Sequence, residues 1–119
     1  MNLAIKFQRL EGMAILIAAV TVYPTYSGNW WLFAGLLFSV DLTMVGYLVN
    51  KAAGAWIYNL GHSLILPLGL LLVGLYSDHF LAALALIWLA HIGLDRTLGY
   101  GLKFKSGFGD THLGTIGRR

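Results

Sequence analysis

The chain has 119 residues, of which 58% are hydrophobic and 11% are charged, and it contains no cysteine. Soluble domains carry roughly 25% charged residues, so this composition indicates an integral membrane protein, and the length suits one domain. The lack of cysteine excludes disulfides, iron–sulfur clusters and thiolate metal sites. The net charge of +3 is modest and lies near the chain's ends. Such a distribution indicates the orientation of a membrane protein rather than a nucleic-acid-binding surface, so we expect no nucleic-acid partner.

Four long apolar stretches follow one another and predict four transmembrane helices. They cover residues 13–26, 30–49, 52–76 and 80–100. About 20 residues are needed to cross ~30 Å of hydrocarbon, and the last three stretches reach that length. The first does so only if Lys6 and Arg9 extend toward the headgroups. Because the connections are short, we predict an all-α, antiparallel four-helix bundle over residues 1–100, followed by a glycine-rich C-terminal tail over residues 101–119.

Basic residues near the helix ends predict the orientation. They lie on one side of the predicted bundle: Lys6, Arg9, Lys51, Arg96, Lys103, Lys105, Arg118 and Arg119. The positive-inside rule then predicts a multi-pass protein of a bacterial inner membrane, with both termini and the tail in the cytoplasm. Membrane lipids are the expected partners, and a homo-oligomer is compatible with this arrangement. An N-terminal signal peptide is the alternative, but no small-x-small cleavage site follows the first stretch.

Ionisable residues within the predicted spans are few, and they share one depth. Asp41, His62 and His91 each lie eight to ten residues from the cytoplasmic end of their stretch. At 1.5 Å per residue, this places all three about 12–15 Å from that end. Asp95 lies one turn from His91 on the same helix face. An ionisable side chain in a span costs at least ~2.5 kcal/mol, so this shared layer predicts one functional site.

The chemistry of this layer is carboxylate and imidazole only. Such mixed ligands suit a divalent metal, with zinc expected first and manganese or iron as alternatives, and helical bundles commonly build metal sites this way. We therefore predict Asp41, His62, His91 and Asp95 as metal ligands and catalytic residues. Asn59, one turn from His62, is expected to orient it. The tail offers Asp110 and His112, and a tail that folds back brings His112 to the metal as a further ligand.

Each residue also has a plainer interpretation. His62 alone is more typical of an interhelical hydrogen bond, and His91 with Asp95 is equally compatible with a solvated helix end in which Asp95 pairs with Arg96. Glu11 fits an interfacial position better than a ligand position. Asp41 is the hardest to explain without a site, because a lone carboxylate within a span needs a cation, a proton or a cage of hydrogen bonds.

The C-terminal block resembles a known family. The segment His91-Ile-Gly-Leu-Asp95-Arg96, followed by residues 99–103 and by Asp110-Thr111-His112-Leu113-Gly114, is similar to domain of unknown function 4260, a family of small bacterial multi-span proteins. That resemblance covers the whole chain and implies no activity. A more remote likeness, carried by Gly61-His62-Ser63-Leu64 and His91-x-x-x-Asp95, is to membrane-bound metal-dependent hydrolases. It implies metal-binding roles for His62, His91 and Asp95 only, since the fuller motif of those enzymes is missing.

Three functions are compatible with this sequence. The first is a metal-dependent hydrolase of a lipid or lipid-linked phosphate, in which Arg96, Lys103 or Lys105 holds the phosphate or headgroup. The second is an electron-transfer protein, with His62 and His91 as axial ligands of a b-type haem. The third is a proton or ion pathway, or a structural subunit of a larger membrane complex.

Overall fold

The computed structural model describes residues 2–105 and 107–116, which form five α-helices, one 3₁₀ helix and three short strands. In chain order these are α1 (Leu3–Tyr26), α2 (Trp30–Leu36), the 3₁₀ helix (Ser39–Leu48), α3 (Lys51–His62), α4 (Ile65–Tyr76), α5 (His79–Leu98), β1 (Lys103–Phe104), β2 (Gly107–Thr111) and β3 (Gly114–Thr115). Arg118 and Arg119, used above for the orientation, lie outside the described residues.

Helix boundaries follow local capping chemistry. The N-terminal N–H groups of α1, α2, α3 and α5 are capped by an Asn or Asp side chain, namely Asn2, Asn29, Asn50 and Asp78. At the other end of α5, Gly99 adopts a left-handed conformation with φ of 93°, which glycine allows without steric cost. These signals were available in the sequence, and they explain why the turns are short.

Three stretches of the described chain are long and apolar enough to cross a membrane: Trp30–Leu48, Lys51–Tyr76 and His79–Leu98. The first predicted span, in α1, is not among them, although α1 has 24 residues. The helical character is therefore confirmed, and three of the four predicted spans are long and apolar enough to cross a membrane. The four-helix bundle arrangement stays a prediction. Orientation in the membrane stays a prediction too.

Helix α1 packs closely along α5. A Cβ atom on Gly12 would lie 2.9 Å from the backbone nitrogen of Thr97, and one on Gly93 would lie 2.7 Å from the carbonyl oxygen of Gly12. These two glycines therefore allow the helix backbones to approach each other, as small residues do in membrane helix pairs. The adjoining apolar core is centred on Tyr23 of α1 and on Leu86 and Ile87 of α5.

Two of the predicted spans are interrupted in their middle. Pro67 cannot donate a hydrogen bond to Ser63, and its ring would clash with that carbonyl, so α3 ends at His62 and α4 begins at Ile65. The second span changes from α2 to the 3₁₀ helix, where the hydroxyls of Ser39 and Thr43 donate to carbonyls three residues earlier. Both interruptions lie beside the site described below.

The described part of the tail contains three short strands, which corrects the all-α prediction. Strands β1, β2 and β3 form an antiparallel sheet in that order, with Lys103 opposite Thr111 and Asp110 opposite Thr115. The sheet is held to α3 by Asn59, whose amide donates to the Lys103 carbonyl at 2.8 Å and whose oxygen accepts from the Lys103 N–H at 2.6 Å. The frequent glycines gave little periodic signal for strands, which explains why the sheet was missed.

Candidate metal centre

Four ionisable side chains converge where the interrupted helices meet α5. Asp41 comes from the 3₁₀ helix, His62 is the last residue of α3, and His91 and Asp95 lie one turn apart on α5. Each contributes one potential ligand atom, and these atoms all lie within 4.8 Å of one another. The convergence expected from their shared depth is present in the structure.

Five distances within this cluster lie between 3.2 and 3.4 Å. Nε2 of His91 lies 3.2 Å from Oδ1 of Asp41, from Oδ2 of Asp95 and from Nε2 of His62. Nε2 of His62 in turn lies 3.2 Å from Oδ1 of Asp41 and 3.4 Å from Oδ2 of Asp95. A tetrahedral zinc site with bonds of about 2.0–2.2 Å has ligand–ligand edges of about 3.3–3.6 Å. The cluster therefore has the size of a metal coordination shell.

Hydrogen bonds to backbone carbonyls determine which ring nitrogens are free. Nδ1 of His62 donates to the carbonyl of Tyr58 at 3.0 Å, and Nδ1 of His91 donates to the carbonyl of Leu37 at 2.7 Å. A carbonyl only accepts, so each neutral ring has its proton on Nδ1 and a lone pair on Nε2. This is the usual arrangement of metal-binding histidines.

The consequence is that four electron-rich atoms face one another. Two Nε2 lone pairs and two carboxylate oxygens repel one another unless a proton or a metal cation lies between them. Protonating both rings instead would direct two N–H groups at each other across the 3.2 Å between the Nε2 atoms. A divalent cation fits both the charge and the spacing of this set.

Surrounding residues hold the two imidazoles in place. The ring of Tyr58 stacks on that of His62, with centroids 3.7 Å apart and planes 7° from parallel. Where α3 ends, Trp88 donates to the Gly61 carbonyl at 2.6 Å, and Arg96 donates to the His62 carbonyl at 3.5 Å. Side chains of α5 thus bond carbonyls that the end of α3 leaves without a helical partner.

Exposure is uneven across the cluster. The side chains of His91 and His62 are 1% and 4% exposed, whereas those of Asp95 and Asp41 are 17% and 35% exposed. The histidines therefore form the buried base of the site, and Asp41 forms its accessible edge.

The remaining predicted site residues lie at different distances from this cluster. Nδ1 of His112 accepts a hydrogen bond from the Leu102 N–H at 2.8 Å, so its proton is on Nε2 and neither nitrogen is offered to a metal in this arrangement. Burial, followed by the positive charge of Arg96, lowers the pKa of His112, which is consistent with this neutral state. Among the described residues, the cluster consists of four side chains and does not include His112.

The predicted phosphate-binding cations also have defined positions. Arg96 lies next to the site through its bond to the His62 carbonyl. Nζ of Lys103 lies 3.9 Å from the ring centroid of Phe108 and 4.8 Å from that of Tyr58. Lys105 lies elsewhere, with Nζ 5.8 Å from the ring centroid of Trp56. Asn59 contacts the sheet rather than His62, so its predicted orienting role belongs instead to Tyr58.

Sequence reasoning missed two features that position the site. One is the carbonyl of Leu37, a backbone group whose role cannot be predicted from the identity of the residue. The other is Tyr58, although it precedes His62 by four residues and therefore lies on the same helix face. An aromatic residue four positions before a buried histidine was the available signal.

Fold and site together define a mainly helical protein with three apolar spans and a cluster of two histidines and two aspartates suited to a metal ion. The chain belongs to the family of domain of unknown function 4260 (DUF4260), whose model matches residues 5–116. The family resemblance of the C-terminal block is thereby confirmed. Comparison with curated proteins and with solved structures gives no match, and the remote likeness to metal-dependent hydrolases is not shown.

Proposed function

We propose that this protein is a membrane metalloprotein that binds one divalent cation between Asp41, His62, His91 and Asp95. The observation that carries the proposal is the spacing of 3.2–3.4 Å among atoms whose lone pairs face one another. Zinc matches the tetrahedral size of the set, and manganese or iron would use the same ligands with additional open positions.

Hydrolysis of a lipid or lipid-linked phosphate at the cytoplasmic leaflet is the reaction that we propose for this centre. A divalent ion held by Asp41, His62, His91 and Asp95 would supply Lewis-acid chemistry toward a phosphoryl oxygen and a water molecule. The 35% exposure of Asp41 supports access of a substrate from that edge. Arg96, next to the cluster, would bind the phosphate by charge-assisted hydrogen bonds, and Lys103 would add positive potential at the same end of the fold.

A structural metal is the second candidate function. Four protein ligands complete a tetrahedral zinc site, whereas catalytic zinc sites keep one position open. The four ligands also come from three separate helical elements, so a bound ion would tie these elements together. The haem alternative fits poorly, because Nε2 atoms only 3.2 Å apart with carboxylate oxygens beside them leave no space for a porphyrin.

Metal analysis of purified protein tests the proposal. Wild-type protein is isolated in mild detergent without chelator. Inductively coupled plasma mass spectrometry is expected to find about one metal ion per chain. Asp41→Ala and His91→Ala are expected to lose most of it. His79→Ala is the matched control, because His79 starts α5 and lies outside the cluster. Wild-type protein without stoichiometric metal would refute the proposal.

A second measurement separates catalysis from a structural role. Metal-loaded protein is incubated with phosphatidic acid in phosphatidylcholine vesicles, and released phosphate is measured before and after treatment with EDTA. Phosphate release that EDTA abolishes supports the hydrolase. No release, combined with a lower melting temperature after EDTA, supports the structural metal instead.

A further inference from the structure

A separate groove lies along the surface of α3. It has a volume of about 380 Å³ and runs between α3, the interruption at Ser63 and strand β1. Trp56, Leu60, Ile65 and Phe104 form apolar walls, and all four side chains are exposed. None of the four residues of the metal cluster lines it.

The position of this groove along its span places it near the membrane surface. The span Lys51–Tyr76 meets α5 at a two-residue turn after Tyr76, so Lys51 is the end of the span away from that turn. Trp56 lies five residues from this end, within the first half of α3, and Leu60 and Ile65 lie further along the span. Tryptophan is typical of this interfacial level.

The groove also carries a positive charge at its shallow end. Lys105, which lines it, holds its ammonium group 5.8 Å from the ring centroid of Trp56. A different groove, between α1, α4 and α5, has a volume of about 450 Å³ and is lined among the described residues by apolar and aromatic side chains only. The groove beside Trp56 thus combines a cation at the interfacial level with apolar walls below it.

We propose that this groove binds a phospholipid with an anionic headgroup. The phosphate contacts the Lys105 ammonium, and an acyl chain lies along Leu60 and Ile65. Exposed apolar walls at this depth favour a lipid over a soluble phosphate, because a free anion would leave them uncovered. Anionic lipids are attracted by basic residues at the membrane surface, and exposed apolar side chains there gain by contact with acyl chains. This proposal does not rest on the metal centre.

Lipid binding to the full chain tests the proposal. Purified protein is titrated with phosphatidylglycerol or phosphatidylcholine of identical acyl chains, and bound lipid is counted by native mass spectrometry. Wild-type protein is expected to prefer phosphatidylglycerol, and Lys105→Gln to reduce that preference about fivefold, the equivalent of about 1 kcal/mol. Lys6→Gln, the same change at an exposed position on α1, is expected to retain the preference. Leu60→Ser is expected to weaken binding of both lipids.

Several outcomes would overturn the proposal. These are equal binding of the two lipids by wild-type protein, an unchanged preference in Lys105→Gln, or an equal loss in Lys6→Gln, which would indicate a general effect of charge. Competition by glycerol phosphate at the affinity of the lipid would indicate an anion site without a lipid. Repeating the titration with EDTA-treated protein and with Asp41→Ala is expected to give the same preference, so failure of the metal proposal remains distinguishable.

Discussion

Asn59 joins the sheet to α3 by two hydrogen bonds, and the contribution of these bonds can be measured. Asn59 makes two hydrogen bonds to the backbone of Lys103, at 2.8 and 2.6 Å, across 44 positions of sequence. Asn59→Ala removes both bonds and leaves a backbone donor and an acceptor beside an apolar methyl group. Each such bond contributes about 0.5–1.5 kcal/mol net. We therefore expect about 2 kcal/mol less free energy for holding the sheet against α3.

Amide hydrogen exchange measures this opening directly. A change of about 2 kcal/mol corresponds to about thirtyfold faster exchange of the amides in β1 and β2. Asn50→Ala is the matched control, since it is the same substitution at the N-cap of α3 and removes only the side-chain cap on the Ala53 N–H. Its effect is expected at the start of α3, with exchange in the strands unchanged.

Two results would refute this reasoning. Unchanged exchange in β1 and β2 of Asn59→Ala would show that other contacts, such as those of Phe108 with Tyr47 and Tyr58, are sufficient to hold the sheet. Equal acceleration in Asn50→Ala would show that the strands respond to the general stability of α3 rather than to the Asn59 contact.

Three further predictions concern packing, site geometry and pH. Gly93→Ala is expected to lower the free energy of unfolding by about 1–3 kcal/mol, because the added methyl group overpacks against α1. Gly69→Ala is the control: no atom lies within 4 Å of the added Cβ, so the free energy of unfolding should stay unchanged or rise. Thermal denaturation of both variants measures the difference. Tyr58→Leu is expected to weaken metal affinity about 10- to 100-fold, because it removes the ring stacked on His62. Tyr58→Phe keeps that ring and is expected to retain the affinity. Competition for the metal with a chelator dye measures both. Because the pKa of His112 is lowered in the fold below the value of about 6.5 expected when unfolded, its contribution to stability is present above pH 6.5 and is lost as the pH falls below it. The melting temperature should therefore fall less between pH 7.5 and 5.5 in His112→Asn than in the wild type, and an equal fall would contradict the assignment.

The sequence alone determined the apolar spans and the depth of the ionisable residues. Both are one-dimensional quantities, since a span is counted in residues and depth follows from the rise of a helix. That is why Asp41, His62 and His91 could be assigned to one layer before any contact was known. The same counting leaves the span in α1 a prediction, since α1 is not among the apolar spans of the structure. It gave no sign of the strands in the glycine-rich tail, which lack an alternating pattern.

Tertiary structure alone decided how these residues face one another. Depth does not specify the rotation of a helix about its axis. Rotating α3 about its axis by the angle between two successive residues would separate Nε2 of His62 from Nε2 of His91, which lie 3.2 Å apart. The Leu37 carbonyl and the Asn59 contact are likewise set by pairings distant in sequence. The sequence thus identifies the apolar spans and the candidate ligand types, whereas the four candidate ligand atoms come within 4.8 Å of one another only when three helical elements pack together.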